Sequence, residues 1–483
     1  METGRCPHVL FFPIPSQGHM NPMIKLAELL ALTGIRITFL NTHHNHERLL
    51  KFTNMAAHFA RYPAGFELRT ITDGLPEDHP RSGHWFPEMF EDGPEMKIKQ
   101  SLREMLVDII PPVDCMIVDA FLGFALDVAR ELGIPIFCFR TSSPCCFWTS
   151  YSIPDMIQAG ELPIKGSEDM DRLITTLPGM ETHFRCRDLP SYCRATDMED
   201  AFIKLLVKQT RKSAKANALI LNTAEELDGP ILSQIRTQCP NVYAIGPINA
   251  QLKSRNGELY HHFSNTLWEE DKTCISWLNK QSNRSVTYAC FGSLTSMSRE
   301  QLIELWYGLV NSNSKFLLVV RPDSVIGKDE GEDVDVVKEL FDKSKDRGYI
   351  VDWAPQEAVL NHPAVGGFLT HSGWNSTLEA VVAGVPMICW PYFGDQQVNS
   401  WIVSEVWRIG LDMKDVCDRK MVEKMVNDVM VDRKEEFAKS AAELAKLTNQ
   451  SVRVDGSSYC NLDRLIGDIR EMSLKTPQKV IVS

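Results

Sequence analysis

Short apolar runs alternate with amphipathic stretches from the beginning of the chain. Residues 8–14 form a continuous apolar run that predicts a buried strand, and residues 35–40 predict the next one. An amphipathic stretch lies between them, with Asn21 as the expected N-cap, Pro22 in the first turn and Gly34 just past the end. This strand–helix–strand order is typical of a βαβ unit with parallel strands.

The same alternation continues through both halves of the chain. In the first half, residues 114–118 predict a strand, residues 121–132 a helix stopped by Gly133, and residues 134–139 another strand. The second half adds candidate strands at residues 285–291, 315–320, 349–352, 365–370 and 385–390. The pattern therefore predicts an α/β protein with two doubly wound parallel sheets.

The domain limits follow from changes in this pattern. We expect an N-terminal domain at 1–248, a linker at 249–270, a C-terminal domain at 271–455 and a helical segment at 456–483. The linker begins in a polar stretch with little periodicity. The acidic run at 329–335 is interpreted as a solvated loop.

Composition narrows the function classes. The 483 residues are 44% apolar and 24% charged with a net charge of −12, so a nucleic-acid or anionic membrane partner is not expected. The 13 cysteines show no zinc-type paired spacing, and the adjacent Cys145 and Cys146 are too close for an ordinary disulfide. No signal peptide and no apolar run of about 18 residues is evident, so we expect a cytoplasmic protein without stable membrane insertion.

Two polar residues follow predicted strands of the first half at the sheet edge where such folds place ligands. His19 comes soon after the first strand, and an imidazole with a pKa of about 6.5 suits proton removal near neutral pH. Asp119 ends a later strand and could accept a hydrogen bond from His19, as in a catalytic triad. The alternatives are a loop histidine with a local hydrogen bond and an aspartate that caps the following helix.

The segment of residues 353–396 contains most of the candidate ligand-binding residues. Its sequence is WAPQEAVLNHPAVGGFLTHSGWNSTLEAVVAGVPMICWPYFGDQ. A strand feeds a turn of small polar residues and then a helix that Gly384 ends, an arrangement that suits a phosphate. Trp353 could stack on a base and Glu379 could accept from ribose hydroxyls. Asp395 and Gln396 could bind sugar hydroxyls.

This segment, together with PSQGH at 15–19, resembles the plant family 1 UDP-sugar glycosyltransferases. The resemblance implies the GT-B fold, with two Rossmann-like domains facing across a cleft and a C-terminal helix that returns to the N-terminal domain. It implies an inverting transfer of glucose from UDP-glucose to a small lipophilic acceptor, without a metal or another cofactor. It makes His19 the general base and Asp119 its partner. The implied UDP-sugar contacts are Thr141, Ser293, Trp353, Ala354, Gln356, His371, Trp374, Asn375, Ser376, Glu379, Asp395 and Gln396.

Further stretches, such as residues 73–81 and 139–145, are similar to the iridoid glucosyltransferase branch that acts on 7-deoxyloganetic acid. Phenolic or other carboxylic acid acceptors remain alternatives. The expected acceptor pocket consists of Phe121, Phe124, Arg140 and Cys145, by motif position. Arg140 could pair with an acceptor carboxylate or form a structural ion pair that faces away from the pocket.

Other interpretations remain open at this point. A catalytically silent nucleotide-sugar-binding protein would share the segment at 353–396, but the presence of His19 and Asp119 argues against it. A nicotinamide-dependent oxidoreductase is disfavoured, because no GxGxxG follows either first strand. His43, His44 and His46 invite a metal site, although a polar turn is the simpler interpretation. We expect a monomer.

Overall fold

This computed structural model describes residues 6–81, 85–181, 183–257, 266–312, 314–326, 340, 342, 344 and 347–475. Its strands are β1 (His8–Phe12), β2 (Arg36–Thr42), β3 (Phe66–Ile71), β4 (Cys115–Asp119), β5 (Ile136–Arg140), β6 (Ala218–Leu221), β7 (Val242–Ala244), β8 (Val286–Cys290), β9 (Met297–Ser298), β10 (Lys315–Val319), β11 (Val325–Ile326), β12 (Gly348–Val351), β13 (Val365–Thr370), β14 (Met387–Cys389) and β15 (Gly410–Asp412).

The α-helices are α1 (Gln17–Ala31), α2 (His43–Phe52), α3 (Met55–Phe59), α4 (Asp92–Asp108), α5 (Gly123–Leu132), α6 (Pro144–Tyr151), α7 (Ile153–Gln158), α8 (Ala201–Ser213), α9 (Glu225–Gln238), α10 (Ile248–Asn256), α11 (Thr273–Leu278), α12 (Arg299–Asn311), α13 (Gln356–Leu360), α14 (Trp374–Ala383), α15 (Gln396–Trp401), α16 (Arg419–Asn427), α17 (Lys434–Ser451) and α18 (Ser457–Lys475). Short 3-10 turns lie at Phe86–Phe90, Ser167–Asp169, Cys186–Asp188 and Ser191–Arg194, and π-helical turns at Ile402–Val406 and Asp428–Asp432.

The chain forms two compact units. Unit 1 comprises Met1–Tyr151, Glu199–Leu267 and Gln450–Ser483, and unit 2 comprises Ser152–Met198 and Trp268–Asn449. Both contain a parallel sheet whose strands alternate with helices, as the periodicity predicts. The fold is therefore α/β with two doubly wound sheets.

The sheet of unit 1 has seven parallel strands in the order β3-β2-β1-β4-β5-β6-β7. The strand β1 lies between β2 and β4, with Phe11 opposite Phe39 on one side and Ile117 on the other. All five residues of β1 are buried, because helices cover both faces of such a sheet. The reversal of strand order at β1 and β4 brings the ends of these two strands together, where doubly wound sheets bind ligands.

The first helix begins earlier than predicted. Its N-cap is Ser16 rather than Asn21, and the amides of His19 and Met20 donate to the Ser16 carbonyl. The Ser16 side chain makes no capping hydrogen bond, so the usual side-chain signal for a helix start does not operate here. Pro22 consequently lies inside the helix, and His19 lies in its first turn rather than in a loop.

The sheet of unit 2 has six parallel strands in the order β12-β10-β8-β13-β14-β15. Its core lies against α12 and α16, with Leu305, Phe316 and Val422 fully buried. Gly308 sits where these two helices cross, since a Cβ at this position would lie 2.4 Å from the Cβ of Val422. The close approach of the helices therefore depends on a residue without a side chain.

The units do not follow the expected limits throughout. Residues 152–198 cluster with unit 2, although we expected them in a domain ending at 248. Within unit 2 they are attached by Ser191, which receives a hydrogen bond from the Gly394 amide at 2.8 Å, and by Arg194, which donates to Asp415 at 2.8 Å. Contacts between residues so distant in sequence leave no local periodic signal.

The expected linker is partly regular structure. Residues 249–256 continue α10, in which Ala250, Gln251 and Leu252 are buried, while 258–265 lie outside the described residues. At the other end of the chain, α18 packs in unit 1 through Tyr243, whose hydroxyl donates to Asp468, and Ser458, which donates to the Gly246 carbonyl. The acidic run at 329–335 also lies outside the described residues.

Candidate functional site

The carboxyl ends of β1 and β4 bring His19 and Asp119 together in unit 1. The Nδ1 of His19 lies 2.6 Å from Oδ2 of Asp119. The histidine side chain is 19% exposed and the aspartate side chain 1% exposed, so solvent reaches the imidazole but not the carboxylate. The expected pairing of these residues is present in the structure.

Both carboxylate oxygens of Asp119 take part in hydrogen bonds at this edge of the sheet. Its Oδ1 accepts a hydrogen bond from the Phe121 amide at 3.1 Å, which fixes the carboxylate against its own backbone. The N-cap of α5 is Leu122, so Asp119 is not the cap residue that we considered as an alternative. With the carboxylate accepting, His19 carries its proton on Nδ1, and the lone pair of the neutral imidazole is on Nε2.

Thr141 is the third group at this position. It follows β5, is buried, and its Oγ1 lies 2.9 Å from Nδ1 of His19. The resemblance implied a contact between Thr141 and the donor sugar. The structure shows that its hydroxyl contacts His19 of the His19–Asp119 pair, an arrangement that the sequence did not reveal.

The four expected acceptor residues divide into two groups. The ring of Phe121 is tilted against the His19 ring at 6.1 Å, and the guanidinium of Arg140 lies 4.2 Å from the Phe121 ring centroid. In contrast, Phe124 packs edge-on against Phe12 in the core. Cys145 is also buried, and its thiol pKa is raised well above its usual value by burial and then by the nearby Asp228.

Arg140 is a buried cation that forms no ion pair with a carboxylate of the described residues. It is 1% exposed, and its Nε donates to Ser142 Oγ at 2.8 Å. None of the ion pairs in the described part of the chain includes Arg140, and its Nη1 makes no hydrogen bond. The structural ion pair that we considered for this residue is therefore wrong. The guanidinium instead lies near the rings of Phe121 and Phe147.

In unit 2, the residues expected to bind a nucleotide sugar follow the carboxyl ends of strands of the parallel sheet. Ser293 follows β8, Trp353 follows β12, His371 follows β13 and Asp395 follows β14. These strands belong to one parallel sheet, so the four residues meet at the same edge.

His371 fills the space between two glycines. A Cβ added to either Gly292 or Gly373 would lie 2.5 Å from its Nε2, so both positions require glycine. Burial lowers the pKa of His371 to about 4, the charge of Arg321 contributes in the same direction, and the Cys290 carbonyl opposes the shift. The imidazole is consequently neutral near pH 7, and it can take part in hydrogen bonds but does not supply a positive charge.

The helix α14 begins three residues after this histidine. Ser372 adopts the left-handed conformation with φ of 64°, and Gly373 is the N-cap. Trp374 is the first helical residue, and its indole is buried against Trp407, which makes its backbone amide the group suited to an anion. Asn375 and Ser376 complete the first turn, and Gly384 ends the helix in the left-handed conformation as predicted.

Gln356 connects the first turn of α14 to Glu379. Its Nε2 donates to Ser376 Oγ at 2.8 Å and to Glu379 Oε2 at 2.7 Å. The hydroxyl of buried Tyr288 approaches Gln356 Oε1 at 3.4 Å. Three expected donor-site residues are therefore held in one hydrogen-bonded group.

Trp353 has a stacking partner that sequence reasoning missed. Its ring lies parallel to that of Trp268, with centroids 5.0 Å apart and an interplanar angle of 26°. Ala354, next to it, is buried. One face of Trp353 is thus supported by a second indole, which gives a rigid platform for a planar ligand.

The end of the segment is fixed by backbone contacts. Gln396 Oε1 accepts hydrogen bonds from the amides of Tyr392 and Phe393 at 2.8 and 3.1 Å. Asp395 Oδ2 accepts from Asn399 Nδ2 at 2.9 Å. Because the Oε1 of Gln396 is engaged, its Nε2 is the atom suited to contact a ligand, and it can only donate.

Two further features concern metals and membranes. Among the described residues there is no group of three or more His, Cys, Asp or Glu side chains that could hold a metal ion. His43, His44 and His46 lie in the first turn of α2, capped by Thr42, rather than in the polar turn that we expected. Within the same described ranges, no helix is both long and apolar enough to cross a membrane.

The chain is similar to known proteins over most of its length. The family described as "UDP-glucoronosyl and UDP-glucosyl transferase" matches residues 111–449. A 7-deoxyloganetic acid glucosyltransferase from Catharanthus roseus is 50% identical over 98% of this chain and 99% of its own length. A myricetin 3-O-rhamnoside 1,2-glucosyltransferase from Crocosmia x crocosmiiflora is 44% identical over 97% and 96%. The crystal structure of Os79 from O. sativa in complex with UDP has a TM-score of 0.80 at 27% identity, covering 95% of this chain and 100% of that one.

Proposed function

Since this chain belongs to the UDP-glucuronosyl and UDP-glucosyl transferase family, we propose that it transfers glucose from UDP-glucose to an oxygen of a small lipophilic acceptor, with inversion at the anomeric carbon. The observation that carries the proposal is the hydrogen bond of 2.6 Å between His19 and Asp119 at the carboxyl edge of unit 1. A protein that only binds a nucleotide sugar has no need for such a pair.

His19 acts as the general base in this proposal. The acceptor hydroxyl gives its proton to Nε2 as its oxygen bonds to the anomeric carbon, and the bond from that carbon to the diphosphate oxygen breaks. Asp119 holds the tautomer and stabilises the imidazolium that forms. Attack on the face opposite the diphosphate converts an α-linked donor into a β-glucoside.

The donor binds to the edge of unit 2. Trp353, supported by Trp268, stacks on uracil, with the Ala354 backbone beside it, and Gln356 and Glu379 contact the ribose. The diphosphate accepts hydrogen bonds at the N-terminus of α14, where Trp374, Asn375 and Ser376 form the first turn. Ser293 and the neutral His371 complete this phosphate site.

The sugar contacts Asp395 and Gln396 at the end of the segment. Gln396 donates from Nε2 to a sugar hydroxyl because its Oε1 is engaged by two backbone amides. Residues 353–396 contain no Lys or Arg, so a sugar carboxylate has no cationic partner within this segment. We expect UDP-glucose to be preferred to UDP-galactose, and UDP-glucuronate to be a poor donor.

The acceptor is an iridoid or related monoterpenoid such as 7-deoxyloganetic acid. Support comes from the relative of that name at 50% identity and from Arg140, a buried cation beside Phe121 that pairs with no carboxylate in the described part of the chain. A phenolic acceptor is the alternative, and the similarity to the myricetin 3-O-rhamnoside 1,2-glucosyltransferase at 44% identity favours it. These two acceptor classes differ in charge, which makes them separable by experiment.

We also propose that the transfer needs no metal and that the protein is a cytoplasmic monomer. Glu379 and Asp395 each accept a hydrogen bond from a side-chain amide, which suits carboxylates that accept from amides and ligand hydroxyls better than metal ligands. All 13 cysteines are free thiols, and most are buried, as is usual in a reducing compartment. The monomer is a prediction to be tested by light scattering.

One experiment tests the proposal as a whole. Purified protein is incubated with UDP-glucose, UDP-galactose or UDP-glucuronate and a panel of iridoid acids, their methyl esters and phenolics, in the presence of a chelator. Mass spectrometry and NMR then identify the products and the anomeric configuration. A β-glucoside formed from UDP-glucose is the expected result. UDP release without a glycoside, equal use of the three donors, or an α-glucoside would contradict it.

A further inference from the structure

Arg321 is a buried cation just beyond the carboxyl end of β10, which lies between β12 and β8 in the unit 2 sheet. It is 4% exposed, and its nearest carboxylate is that of the exposed Asp323, 3.4 Å away. Its two terminal nitrogens donate to backbone carbonyls instead, to Gly292 at 3.0 Å and to Thr295 at 2.8 Å. One guanidinium therefore holds both ends of the turn that contains Ser293.

These two hydrogen bonds determine where the amides of the turn point. In a trans peptide the C=O and N–H groups point in opposite directions. Because the Gly292 carbonyl faces Arg321, the Ser293 amide faces away from it, and the same holds for the Ser296 amide after Thr295. Backbone N–H groups on the side of a turn that faces away from a cation are free of its carbonyl contacts and can bind an anion.

The same turn is packed against the other phosphate-binding groups. Gly292 has a φ of 72°, and the His371 ring occupies the space that its side chain would need. Arg321 also lies 5.7 Å from the Trp268 ring, which in turn stacks on Trp353. Arg321 thus contacts both the turn and the indole pair that supports the base platform.

The charge of a diphosphate needs compensation that the donor segment lacks. Each phosphate of a UDP-sugar carries a negative charge, whereas residues 353–396 contain no Lys or Arg and His371 is neutral near pH 7. The N-terminus of α14 supplies a partial positive charge. The Arg321 guanidinium adds positive charge behind the Ser293 turn, and its neighbouring carboxylate, Asp323, offsets only part of that charge because it is exposed to solvent.

We propose that Arg321 is a positioning residue for the donor diphosphate, which aims the amides of the Ser293 turn at the phosphates and supplies the positive charge behind them. The inference rests on the proposed function, because it requires that unit 2 bind a UDP-sugar. It predicts that Arg321 contributes to the affinity of phosphate-bearing ligands and not to the affinity of the nucleoside.

The test compares UDP and uridine binding by isothermal titration calorimetry at fixed ionic strength. Arg321→Met keeps the length of the side chain and removes its charge and donors. We expect it to weaken UDP binding by about 10- to 100-fold and to change uridine binding by no more than about twofold. Arg321→Lys keeps the charge but cannot hold two carbonyls in the same way, so its loss for UDP should be smaller.

Arg347→Met is the matched control. This arginine also donates to a backbone carbonyl of unit 2, Val310 at 2.7 Å, but it immediately precedes β12 and therefore lies at the opposite edge of the sheet from the site. Its substitution should leave both affinities unchanged.

Each outcome is decisive. Unchanged UDP affinity in Arg321→Met, or an equal loss for UDP and uridine, overturns the inference, and the second result would mean that Arg321 only supports the indole platform. If the Met variant does not fold, the Lys variant decides by the same comparison of UDP with uridine. Failure of the wild-type protein to bind UDP would instead contradict the proposed function.

Discussion

At the scale of single residues, the Nδ1 of His19 faces two oxygen atoms, one from Asp119 and one from Thr141. This arrangement fixes the ring through Nδ1, so that Nε2 is the nitrogen suited to accept a proton. The carboxylate is almost completely buried, which strengthens its interaction with an imidazolium formed during the reaction. The geometry is that of a base whose orientation is set before the substrate arrives.

The first prediction concerns this base. His19→Ala should lower the turnover of a hydroxyl acceptor by about 10²- to 10⁴-fold with little change in UDP affinity. Asp119→Asn should also impair turnover, because the wrong tautomer of the imidazole is then favoured. Steady-state kinetics and calorimetry measure the two effects. Near wild-type turnover in His19→Ala would contradict the assignment. An acceptor that is glucosylated on its carboxylate is already ionised, so its turnover should depend less on His19.

A second prediction concerns the acceptor charge. Arg140→Leu should reduce kcat/KM for an acidic acceptor by about 10-fold or more and leave its neutral methyl ester almost unaffected. The half-buried Phe121 ring lies 4.2 Å from the guanidinium, and Nη1 has a donor left for an acceptor carboxylate. Arg140→Lys serves as the charge-conserving control. An equal loss for acid and ester would show that Arg140 is structural.

Gln396 provides the third prediction. Gln396→Glu keeps an oxygen for the amides of Tyr392 and Phe393 but replaces the Nε2 donor by an acceptor. We expect kcat/KM for UDP-glucose to fall by about 10- to 100-fold, the cost of a hydrogen bond that turns repulsive. The Kd for UDP, which lacks the sugar, should change by less than about threefold. A parallel loss of UDP affinity would place Gln396 outside the sugar site.

The site was only partly predictable from the sequence. His19 and Asp119 could be found because each follows a strand whose carboxyl end is evident from the apolar pattern. Arg321 and Trp268 could not, since their importance comes from contacts with the Ser293 turn and with Trp353 that have no local signal. Cys145, which we expected in the acceptor pocket, is buried near Asp228, and its place in that pocket stays a prediction.

At the scale of elements, the crossing of α12 and α16 rests on Gly308. The fourth prediction is that Gly308→Ala lowers the free energy of unfolding of unit 2 by about 1–3 kcal/mol, because its Cβ would collide with Val422. Gly467→Ala in α18 is the control, with nothing within 4 Å of the added Cβ, and should stabilise by up to about 1 kcal/mol. Urea unfolding measures both. Equal effects of the two substitutions would rule out a packing role for Gly308.

Elements with a strong apolar signature could be predicted, and short or half-exposed ones could not. Residues 365–370 match β13 at both ends, and the helix stops at Gly133 and Gly384 are present. The edge strand β3 was missed because five of its six residues are only partly buried. Helix α10 was missed because its polar sequence hides a buried face that is recognisable only against α1.

At the scale of the whole molecule, two buried groups in different units respond to pH in opposite directions. In unit 1, burial raises the pKa of Asp228 to about 7, with the Thr223 hydroxyl as its hydrogen-bond donor. In unit 2, burial lowers the pKa of His371 to about 4. The native protein therefore holds an extra proton at Asp228 and lacks one at His371 between about pH 4 and 6.5, relative to the unfolded chain.

The direction of the pKa shift determines how each group changes the free energy of unfolding with pH. The native pKa of Asp228 lies above its ordinary value of 3.8, so the stability it contributes is complete below that value and is lost as the pH rises through about 7. The native pKa of His371 lies below its ordinary value of 6.5, so its contribution is present above pH 6.5 and is lost as the pH falls toward about 4. Each unit of pKa shift corresponds to about 1.4 kcal/mol.

The fifth prediction uses two neutral variants to separate these contributions. Asp228→Asn should gain free energy of unfolding relative to the wild type as the pH rises from about 4 to 7, by roughly 2–4 kcal/mol in total. His371→Gln should gain relative to the wild type as the pH falls from about 6.5 to 4, by a similar amount. Urea unfolding of the three proteins at half-unit pH intervals measures these differences, so that titrations common to all of them cancel. A difference curve that is flat with pH, or that slopes the other way, would show that burial does not shift the pKa of the group concerned in the stated direction.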